Sequence, residues 1–200
     1  FLKWSKPLES TMEITGKNFI GDRLSGIGEE HFRTFNPLKN IENKTLFISA
    51  TTTELEEAVA LADAAFPIYL ELSDAQRASF LKAIGDEILK ISDDLLDIYC
   101  RETGLDQQRA TGEMDRTLFQ LQLFAKTIET EDWRNNITEP ALPDRSPKPK
   151  PTLTKTHIPL GPIAVFGASN FPLAYSTAGG DTASALAVGC PVIVKSHPLH

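Results

Sequence analysis

The sequence has few cysteines, no long apolar run and no excess of positive charge. Cys100 and Cys190 are the only cysteines among 200 residues, which excludes a disulfide framework and a four-cysteine zinc site. No apolar run approaches the roughly 20 residues of a membrane span. The net charge of −7 and the pI near 5.1 argue against nucleic-acid binding, which needs clustered Lys and Arg. We therefore expect a soluble protein of a reducing, cytoplasmic compartment that binds neither nucleic acid nor membrane.

Charge is unevenly distributed along the chain. Residues 1–139 contain 15 Lys and Arg against 25 Asp and Glu, whereas residues 140–200 contain 5 against 2. Between Lys155 and Lys195 only Asp181 is charged. This division predicts a solvated, amphipathic region followed by a largely buried one.

The first part of the chain is predicted to be helical, apart from its beginning. Residues 1–11 precede Met12 and lack the apolar run of a signal peptide, so we interpret them as a leader outside the fold. The segment 26–31 begins like a dinucleotide fingerprint but lacks the third glycine, and we expect a loop there. Residues 12–139 are then the helical part of the domain.

Three stretches carry apolar residues at helical spacing, which is typical of core-facing helices. The first opens with a capping box, Thr53 with Glu56, and is expected to end at Pro67; the second opens with a box formed by Ser73 and Gln76 and has a break at Ser92. The third covers about 107–130. The apolar stripes are Leu55, Val59, Ala62 and Phe66; then Phe80, Ile84, Ile88, Ile91, Leu95 and Ile98; then Met114, Leu118, Leu121, Ala125 and Ile128.

A proline-rich segment follows. Residues 140–151 contain five of the thirteen prolines, and proline fixes φ and removes hydrogen-bond donors. Polar and apolar residues then alternate over 152–158, as in an exposed or edge strand. We interpret residues 140–160 as a connector with a strand of the kind used in oligomerisation; a recognition peptide is the alternative.

The last part, residues 161–200, predicts a βαβ unit over 163–195. An apolar strand, Ile163–Phe166, leads through Gly167 to a helix expected over 171–188, with Ser169 or Asn170 as its cap. Gly189 ends that helix, and a second buried strand runs to Lys195. In parallel sheets of this kind, ligands bind beyond the carboxyl ends of the strands.

Two groups of residues therefore form the candidate site at one rim of the sheet. The first is Phe166, Gly167, Ala168, Ser169 and Asn170; the second is Lys195, Ser196, His197 and Pro198. Lys195 is a natural donor to a ribose or phosphate, and the Asn170 amide can donate to a developing oxyanion.

These residues resemble the N-terminal part of the NAD(P)-dependent aldehyde dehydrogenases. Residues 161–172 read Gly-Pro-Ile-Ala-Val-Phe-Gly-Ala-Ser-Asn-Phe-Pro, and the resemblance extends over about 12–200, including 16–21, 35–37, 185–187 and 192–195. The form Gly-Ala-Ser-Asn-Phe-Pro with residues 179–186 is closest to the branch of 2,5-dioxovalerate (α-ketoglutaric semialdehyde) dehydrogenases and NADP-dependent fatty aldehyde dehydrogenases. The implied fold class is α/β, with an incomplete Rossmann-type parallel sheet preceded by amphipathic helices.

The resemblance implies roles for the site residues. Asn170 would stabilise the oxyanion of the thiohemiacetal, Phe166 to Ser169 would contact the nicotinamide side of the cofactor, and Lys195 would hold the adenosine ribose. Many NAD-preferring relatives have a Glu three residues after that Lys, where this chain has Pro198. The missing carboxylate removes a repulsion of the 2′-phosphate. We therefore expect NADP to be accepted as the cofactor, with NAD as the alternative.

The resemblance implies that the catalytic Cys and Glu of the family follow after the residues of this chain. Cys100 and Cys190 do not match the setting of the nucleophile and are expected to be buried structural thiols, while Asp181 is expected to be paired or capping. A metal site of Cys190, His197 and His200 lacks a fourth ligand, and no metal is predicted.

The predicted function follows from the resemblance. We expect the N-terminal fragment of a homo-oligomeric oxidoreductase that converts an aldehyde, such as 2,5-dioxovalerate or another semialdehyde or fatty aldehyde, to a carboxylate. The fragment alone is expected to be inactive. Two alternatives are a complete non-catalytic nucleotide-binding or interaction module and an acyl reductase of the same superfamily.

Overall fold

A computed structural model describes residues 14–130 and 132–197. The first six strands in this part of the chain are β1 (Asn18–Ile20), β2 (Arg23–Ser25), β3 (His31–Phe32), β4 (Phe35–Asn36), β5 (Ile41–Glu42) and β6 (Phe47–Ile48). The helices that follow are α1 (Thr52–Leu70), α2 (Asp74–Lys90), α3 (Ser92–Thr103) and α4 (Gln107–Glu129). A 3₁₀ turn (Asp132–Arg134) precedes β7 (Ile137–Glu139), β8 (Leu153–Lys155), β9 (Ile163–Phe166), α5 (Gly180–Val188) and β10 (Val192–Lys195). The predicted leader, Pro198 and His200 lie outside the described residues.

The strands β1 to β6 form three small antiparallel pairs, β1 with β2, β3 with β6 and β4 with β5. The predicted loop is confirmed for residues 26–30, and His31 already belongs to β3. Gly28 suits a close backbone approach rather than a phosphate, because a Cβ there would lie 2.0 Å from the Ser49 carbonyl oxygen. Strands of two or three residues are too short to show an alternation in the sequence, so the sequence did not predict them.

Helix α1 begins two residues before the predicted position. The cap is Thr51, whose hydroxyl accepts the Glu54 amide proton at 3.2 Å, while the Glu54 carboxylate accepts from the Thr51 amide at 2.8 Å. The predicted box of Thr53 and Glu56 is therefore wrong. Glu54 is 1% exposed whereas Glu56 lies on the solvent side, so packing selects the first of two possible boxes.

The prediction that Pro67 ends α1 is also wrong, since the helix continues to Leu70. Proline removes one backbone donor near the end of the helix. The last turn is nevertheless fixed, because the Tyr69 hydroxyl donates to the Leu186 carbonyl oxygen at 2.8 Å. Of the predicted stripe, Ala62 is buried, but Leu55 and Val59 are 55% and 49% exposed.

Helices α2, α3 and α4 confirm the rest of the helical prediction. Ser73 and Gln76 form the expected box, the break falls at Ile91, and α4 starts after its cap, Asp106. Of the predicted stripe on α2, Ile84 and Ile88 pack against the core, whereas Phe80 is 45% exposed and its neighbour Leu81 is fully buried. On α3 the buried residues are Leu96 and Tyr99, each one residue after the predicted position. On α4 the stripe points inward as predicted.

The core consists of two hydrophobic clusters. We call the larger one the aliphatic cluster; it joins α2, α4 and α5 and consists of Ala78, Leu81, Leu121, Ala125, Ile128, Ala183 and Ala187. The smaller cluster joins α3 to α4 and consists of Leu96, Tyr99, Ala110 and Met114. Small side chains on α5 allow the helix to lie close to α4, which places the βαβ unit on the helical layer.

A buried arginine fixes the end of α5. The Arg77 side chain is 2% exposed and pairs with Asp74. Its guanidinium donates to the Ala187 carbonyl oxygen at 3.0 Å and to the Leu72 carbonyl oxygen at 2.6 Å. The cation thereby satisfies a carbonyl in the last turn of α5, an end of the helix that favours positive charge.

The proline-rich segment is the loop of a hairpin. Strand β8 confirms the predicted strand over part of its length, but it pairs antiparallel with β7, which the sequence did not predict. Leu142 and Lys150 form a further bridge inside the loop. All six residues of the two strands are exposed. We call residues 137–155 the hairpin arm.

The predicted βαβ unit over 163–195 is confirmed. Strands β9 and β10 are parallel, with Val192 opposite Ile163 and Lys195 opposite Phe166. Gly189 ends α5 in the left-handed region, at φ +100. No helix among the described residues is long and apolar enough to cross a membrane.

Candidate site at the carboxyl ends of β9 and β10

The two predicted groups of site residues meet at one rim. Phe166 pairs with Lys195 across the strands, and the Gly167 amide donates to the Lys195 carbonyl oxygen at 3.1 Å. Phe166 is 71% exposed and Lys195 and Ser196 are also exposed. The rim is therefore open to a ligand at the position where parallel strands end.

Gly167 allows the two segments to touch. A Cβ at this position would lie 3.3 Å from both the His197 amide nitrogen and the Ser176 hydroxyl oxygen. A side chain here would require the segment after β10 or the Ser176 side chain to shift slightly. The glycine therefore suits the close approach of the half-buried His197 to the turn.

The helix predicted over 171–188 begins only at Gly180, and residues 172–178 form turns. Neither Ser169 nor Asn170 caps it, because Gly179 is the N-cap. The segment folds back on itself instead: the Ala168 amide donates to the Tyr175 carbonyl oxygen at 2.8 Å, and the Gly180 amide donates to the Ala174 carbonyl oxygen at 3.0 Å. These bonds leave α5 with the nine residues 180–188.

A buried carboxylate on α4 holds these turns. One Glu113 oxygen accepts the amide protons of Leu173 and Ala174 at 2.8 and 3.1 Å. The other accepts the Tyr99 hydroxyl proton at 2.8 Å, and the Arg109 guanidinium lies 3.5 Å from it. Burial and the hydrogen bond to Glu113 raise the pKa of Tyr99 to about 12. Since the Glu113 side chain is 2% exposed, its bonds to the turn that follows Asn170 are sheltered from water.

The side chains of Ser169 and Asn170 are available to an external partner. Both residues are exposed, and neither side chain makes a hydrogen bond to any residue that the structure describes. The Asn170 backbone is fixed more firmly, because its carbonyl oxygen accepts from Arg109 Nη2 at 3.4 Å. The structure thus provides an exposed amide on a backbone that α4 positions.

A cavity of about 430 Å³ adjoins this turn. Arg109, Gly112, Arg116 and Phe171 are among the residues that line it. The guanidinium carbons of Arg109 and Arg116 lie 4.7 and 5.6 Å from the centre of the Phe171 ring. Arg116 also donates to the Tyr175 hydroxyl oxygen at 2.6 Å. The wall of the cavity therefore combines two arginines stacked on an aromatic ring with the carboxylates of Asp106 and Glu113.

The two cysteines lie away from the exposed residues of the rim. Cys190 is buried as predicted, whereas Cys100 is half-buried, with its sulfur 3.7 Å from Gln107 Oε1. Burial and the nearby Asp106 and Asp97 raise the pKa of Cys100, which disfavours the reactive thiolate. Neither environment activates a nucleophile.

The structure also bears on the alternative metal site and on the role of Asp181. No group of three potential metal ligands occurs among residues 14–130 and 132–197, and His200 lies outside them. Asp181 is exposed in the first turn of α5, and its carboxylate makes no hydrogen bond or ion pair with a described residue. The prediction of a paired or capping carboxylate is therefore wrong; the residue only places negative charge near a helix N-terminus.

Sequence reasoning missed Glu113, Arg109 and Arg116. A signal for Glu113 was present, because residues 110, 113, 117 and 121 follow helical spacing and put a carboxylate on the buried face of α4. A buried acid requires partners, but its partners lie 14 and about 60 residues away in the chain. The sequence gives no indication of those separations.

The chain is similar in sequence to known proteins. A sequence profile described as the aldehyde dehydrogenase family matches residues 24–200. α-Ketoglutaric semialdehyde dehydrogenase 2 of Azospirillum brasilense is 44% identical over 190 residues, and α-ketoglutaric semialdehyde dehydrogenase of Acinetobacter baylyi is 40% identical over 188. Each alignment covers 94% of this chain and 36% of the relative, so the chain spans about a third of the length of the relatives.

The fold is likewise similar to solved structures. A NAD-dependent benzaldehyde dehydrogenase from Corynebacterium glutamicum superposes with a TM-score of 0.78 at 18% identity, covering 94% of this chain and 39% of that one. The α/β class and the aldehyde-dehydrogenase-like fold predicted from the sequence are thereby confirmed. The domain boundaries and the roles of individual site residues stay predictions.

Proposed function

Because the chain belongs to the aldehyde dehydrogenase family, we propose that the protein containing it oxidises an aldehyde to a carboxylate with a nicotinamide cofactor. In the balanced reaction the aldehyde carbon loses a hydride to the cofactor and gains oxygen from water, with release of protons. The observation that carries the proposal is the exposed Asn170 amide on a turn that Glu113 and Arg109 hold, next to an open rim at the ends of β9 and β10.

Asn170 is proposed as the oxyanion donor. A donor of this kind is effective when its direction is fixed before the reaction, since no reorganisation is then needed as charge develops. The bonds of Glu113 to Leu173 and Ala174 fix the backbone of the turn from which the Asn170 side chain extends. The thiolate nucleophile is not assigned to Cys100 or Cys190, so it must come from outside the residues described.

The rim fits a dinucleotide cofactor without a glycine-rich phosphate loop. The exposed Phe166, Ser169 and Lys195 leave the carboxyl ends of both strands open to a ligand. The cofactor supplies the hydride acceptor when bound. Phe166, Gly167, Ala168 and Ser169 are proposed to contact its nicotinamide side. Lys195, with Ser196 and His197, would bind the adenosine ribose by donating from the exposed ammonium group.

We propose NADP as the cofactor, with NAD as the alternative. The family uses NAD or NADP, and in the sequence Pro198 replaces the Glu that, by the resemblance, many NAD-preferring relatives have three residues after the Lys and that would repel the 2′-phosphate. The substrate proposed is α-ketoglutaric semialdehyde (2,5-dioxovalerate), supported by the two relatives at 44% and 40% identity.

The test is an assay of the purified complete protein with 2,5-dioxovalerate and either cofactor, following reduced cofactor by absorbance. We expect oxidation with both, a lower KM for NADP, and a kcat about 100-fold lower for Asn170→Ala, since loss of one oxyanion donor costs about 10²–10³ in kcat. Tighter binding of NAD than of NADP would overturn the cofactor assignment. Absence of aldehyde oxidation would overturn the function, and the polypeptide of residues 1–200 alone is expected to be inactive.

Self-association through the hairpin arm is part of the same proposal. Ile137 and Leu153 are 47% and 50% exposed, and an isolated two-stranded hairpin is at best marginally stable in water. Pairing of a free strand edge with a second copy of the protein would supply the missing contacts. Light scattering of the complete protein is expected to give a mass of at least two copies, and a monomer would contradict it.

A further inference from the structure

Two arginines on α4 share one face of the cavity beside Asn170. Arg109 and Arg116 are seven residues apart, which is close to two helical turns, so their side chains leave the helix in the same direction. Between them lies Gly112, at which an added Cβ would meet nothing within 4 Å. The two guanidinium groups therefore overlook open space and not a packed interior.

The two arginines differ in how their charge is balanced. The Glu113 carboxylate lies 3.5 Å from Arg109 and pairs with it, while its oxygens also accept from Tyr99, Leu173 and Ala174. Asp106, at the edge of the cavity, is the N-cap of α4 and accepts the Arg109 amide proton at 2.8 Å. Arg116 has the neutral Tyr175 hydroxyl as its hydrogen-bond partner and forms no ion pair with any described residue.

The aromatic rings hold the arginines in place without neutralising them. Arg116 lies over the Tyr175 ring at 5.0 Å and the Phe171 ring at 5.6 Å. A guanidinium that is stacked on a ring still has its planar N–H groups free, and those groups match the geometry of a carboxylate. The cavity thus contains a preoriented donor for an anionic group.

We propose that Arg116 binds a carboxylate at the far end of the aldehyde substrate. The proposal rests on the proposed function, and it assigns the group that recognises the anionic end of a dicarboxylic semialdehyde. The hydrogen bond from Arg109 to the Asn170 carbonyl oxygen joins this wall of the cavity to the turn that carries the Asn170 amide. One end of the substrate would meet that amide while its other end meets Arg116, so a neutral aldehyde of equal length loses the second contact.

The experiment compares 5-oxopentanoate with pentanal in the complete protein. Both have the same chain length, and only the first carries a carboxylate. We expect wild type to prefer 5-oxopentanoate. Arg116→Met should lower kcat/KM for 5-oxopentanoate about 10- to 100-fold, mainly through KM, as expected when a hydrogen bond to a charged group is lost. Pentanal should change by less than about threefold, and Arg116→Lys should restore part of the preference because it keeps the charge.

Lys126→Met provides the matched control. Lys126 is an exposed cation on the same helix, ten residues beyond Arg116 and about 15 Å along the axis. Its removal should leave both substrates unchanged. A wild type without preference for 5-oxopentanoate, or an Arg116→Met variant that loses both substrates equally, would overturn the proposal.

A measurement without catalysis separates this proposal from the function on which it rests. Glutarate has two carboxylates and no aldehyde, so it should bind wild type, and Arg116→Met should weaken this binding at least tenfold by calorimetry. If wild type oxidises neither aldehyde but glutarate binds through Arg116, the function fails while the anion site stands. If wild type oxidises the aldehydes but Arg116→Met binds glutarate as tightly as wild type does, the anion site is refuted and the proposed function stands.

Discussion

The two halves of α4 differ in what they pack against. The C-terminal half contributes Leu121, Ala125 and Ile128 to the aliphatic cluster, where they are at most 1% exposed. The N-terminal half places Glu113 against the turns after β9 and points Arg109 and Arg116 into a cavity. The N-terminal half also places Ala110 and Met114 in the smaller cluster, so both halves bury apolar side chains, and the N-terminal half adds the hydrogen bonds that hold the turns. Apolar burial is non-directional and stabilises the fold, whereas the hydrogen bonds fix a geometry.

Among the substitutions in α4, Glu113→Ala is expected to have the largest effect. The change leaves two buried amides and the Tyr99 hydroxyl without an acceptor, which should cost about 3–5 kcal/mol of unfolding free energy, since each unsatisfied group costs about 1–3 kcal/mol. Activity should fall as well, because the turn that carries Asn170 loses its support. Denaturant unfolding and kcat measure the two effects.

Glu113→Gln serves as the conservative variant. The Gln oxygen can still accept from Leu173 and Ala174, so most of the stability and of kcat should return. If Glu113→Ala lowered stability without lowering kcat of the folded enzyme, Glu113 would be a purely structural acid and the two halves of α4 would not differ.

The second prediction concerns the C-terminal half. Leu121→Ala removes a side chain that is 1% exposed and should cost about 2–5 kcal/mol of unfolding free energy through a cavity in the aliphatic cluster. At a temperature where the variant is folded, kcat and KM should stay within about twofold of wild type. A large loss of kcat in folded Leu121→Ala would mean that the aliphatic cluster positions the site as directly as Glu113 does.

The smallest effect is the dependence on alkaline pH. Burial raises the pKa of Tyr69 to about 12, and burial with the Glu113 hydrogen bond does the same for Tyr99. The ordinary value in the unfolded chain is about 10. Between pH 10 and 12 the native protein therefore holds more protons than the unfolded one, and the free energy of unfolding should fall as pH rises through this window.

Phe substitutions separate the contributions of the two tyrosines to this pH dependence. Tyr99→Phe and Tyr69→Phe should each remove part of the alkaline dependence, and each should cost about 1 kcal/mol at neutral pH through one lost hydrogen bond. Of the two, only Tyr99→Phe should also lower kcat, because its hydroxyl contacts Glu113, which supports the turn that carries Asn170. Stability that is constant from pH 10 to 12 in wild type would contradict the assignment.

Sequence patterns were reliable where the physical cause is local. The cap of α2 and the stripe of α4 follow from residues within a few positions of one another, and the left-handed Gly189 marks the end of α5. The parallel pairing of β9 with β10 followed from two apolar strands with a helical segment between them. The meeting of Phe166 with Lys195 at one rim was a consequence of that pairing.

Errors occurred where distant contacts decide between local options. Thr51 and Thr53 can both open α1, and burial of Glu54 selects Thr51. Residues 171–179 are compatible with a helix, but Glu113 binds the amides of Leu173 and Ala174 in a turn. Leu55 and Val59 share helical spacing with Ala62, but only Ala62 is buried, because burial depends on how far the neighbouring elements extend along α1 and not on the spacing alone.

By itself, the sequence determined the family, the α/β class and the two segments that form the rim, because strand and helix propensities and the Asn-Phe-Pro motif are local properties of the chain. Only the tertiary structure decided that an acid on α4 supports the turn behind Asn170, and that Arg109 and Arg116 face a cavity beside it. The physical reason is that a buried charge is stable only with partners, and a chain can supply them from any distance along its length.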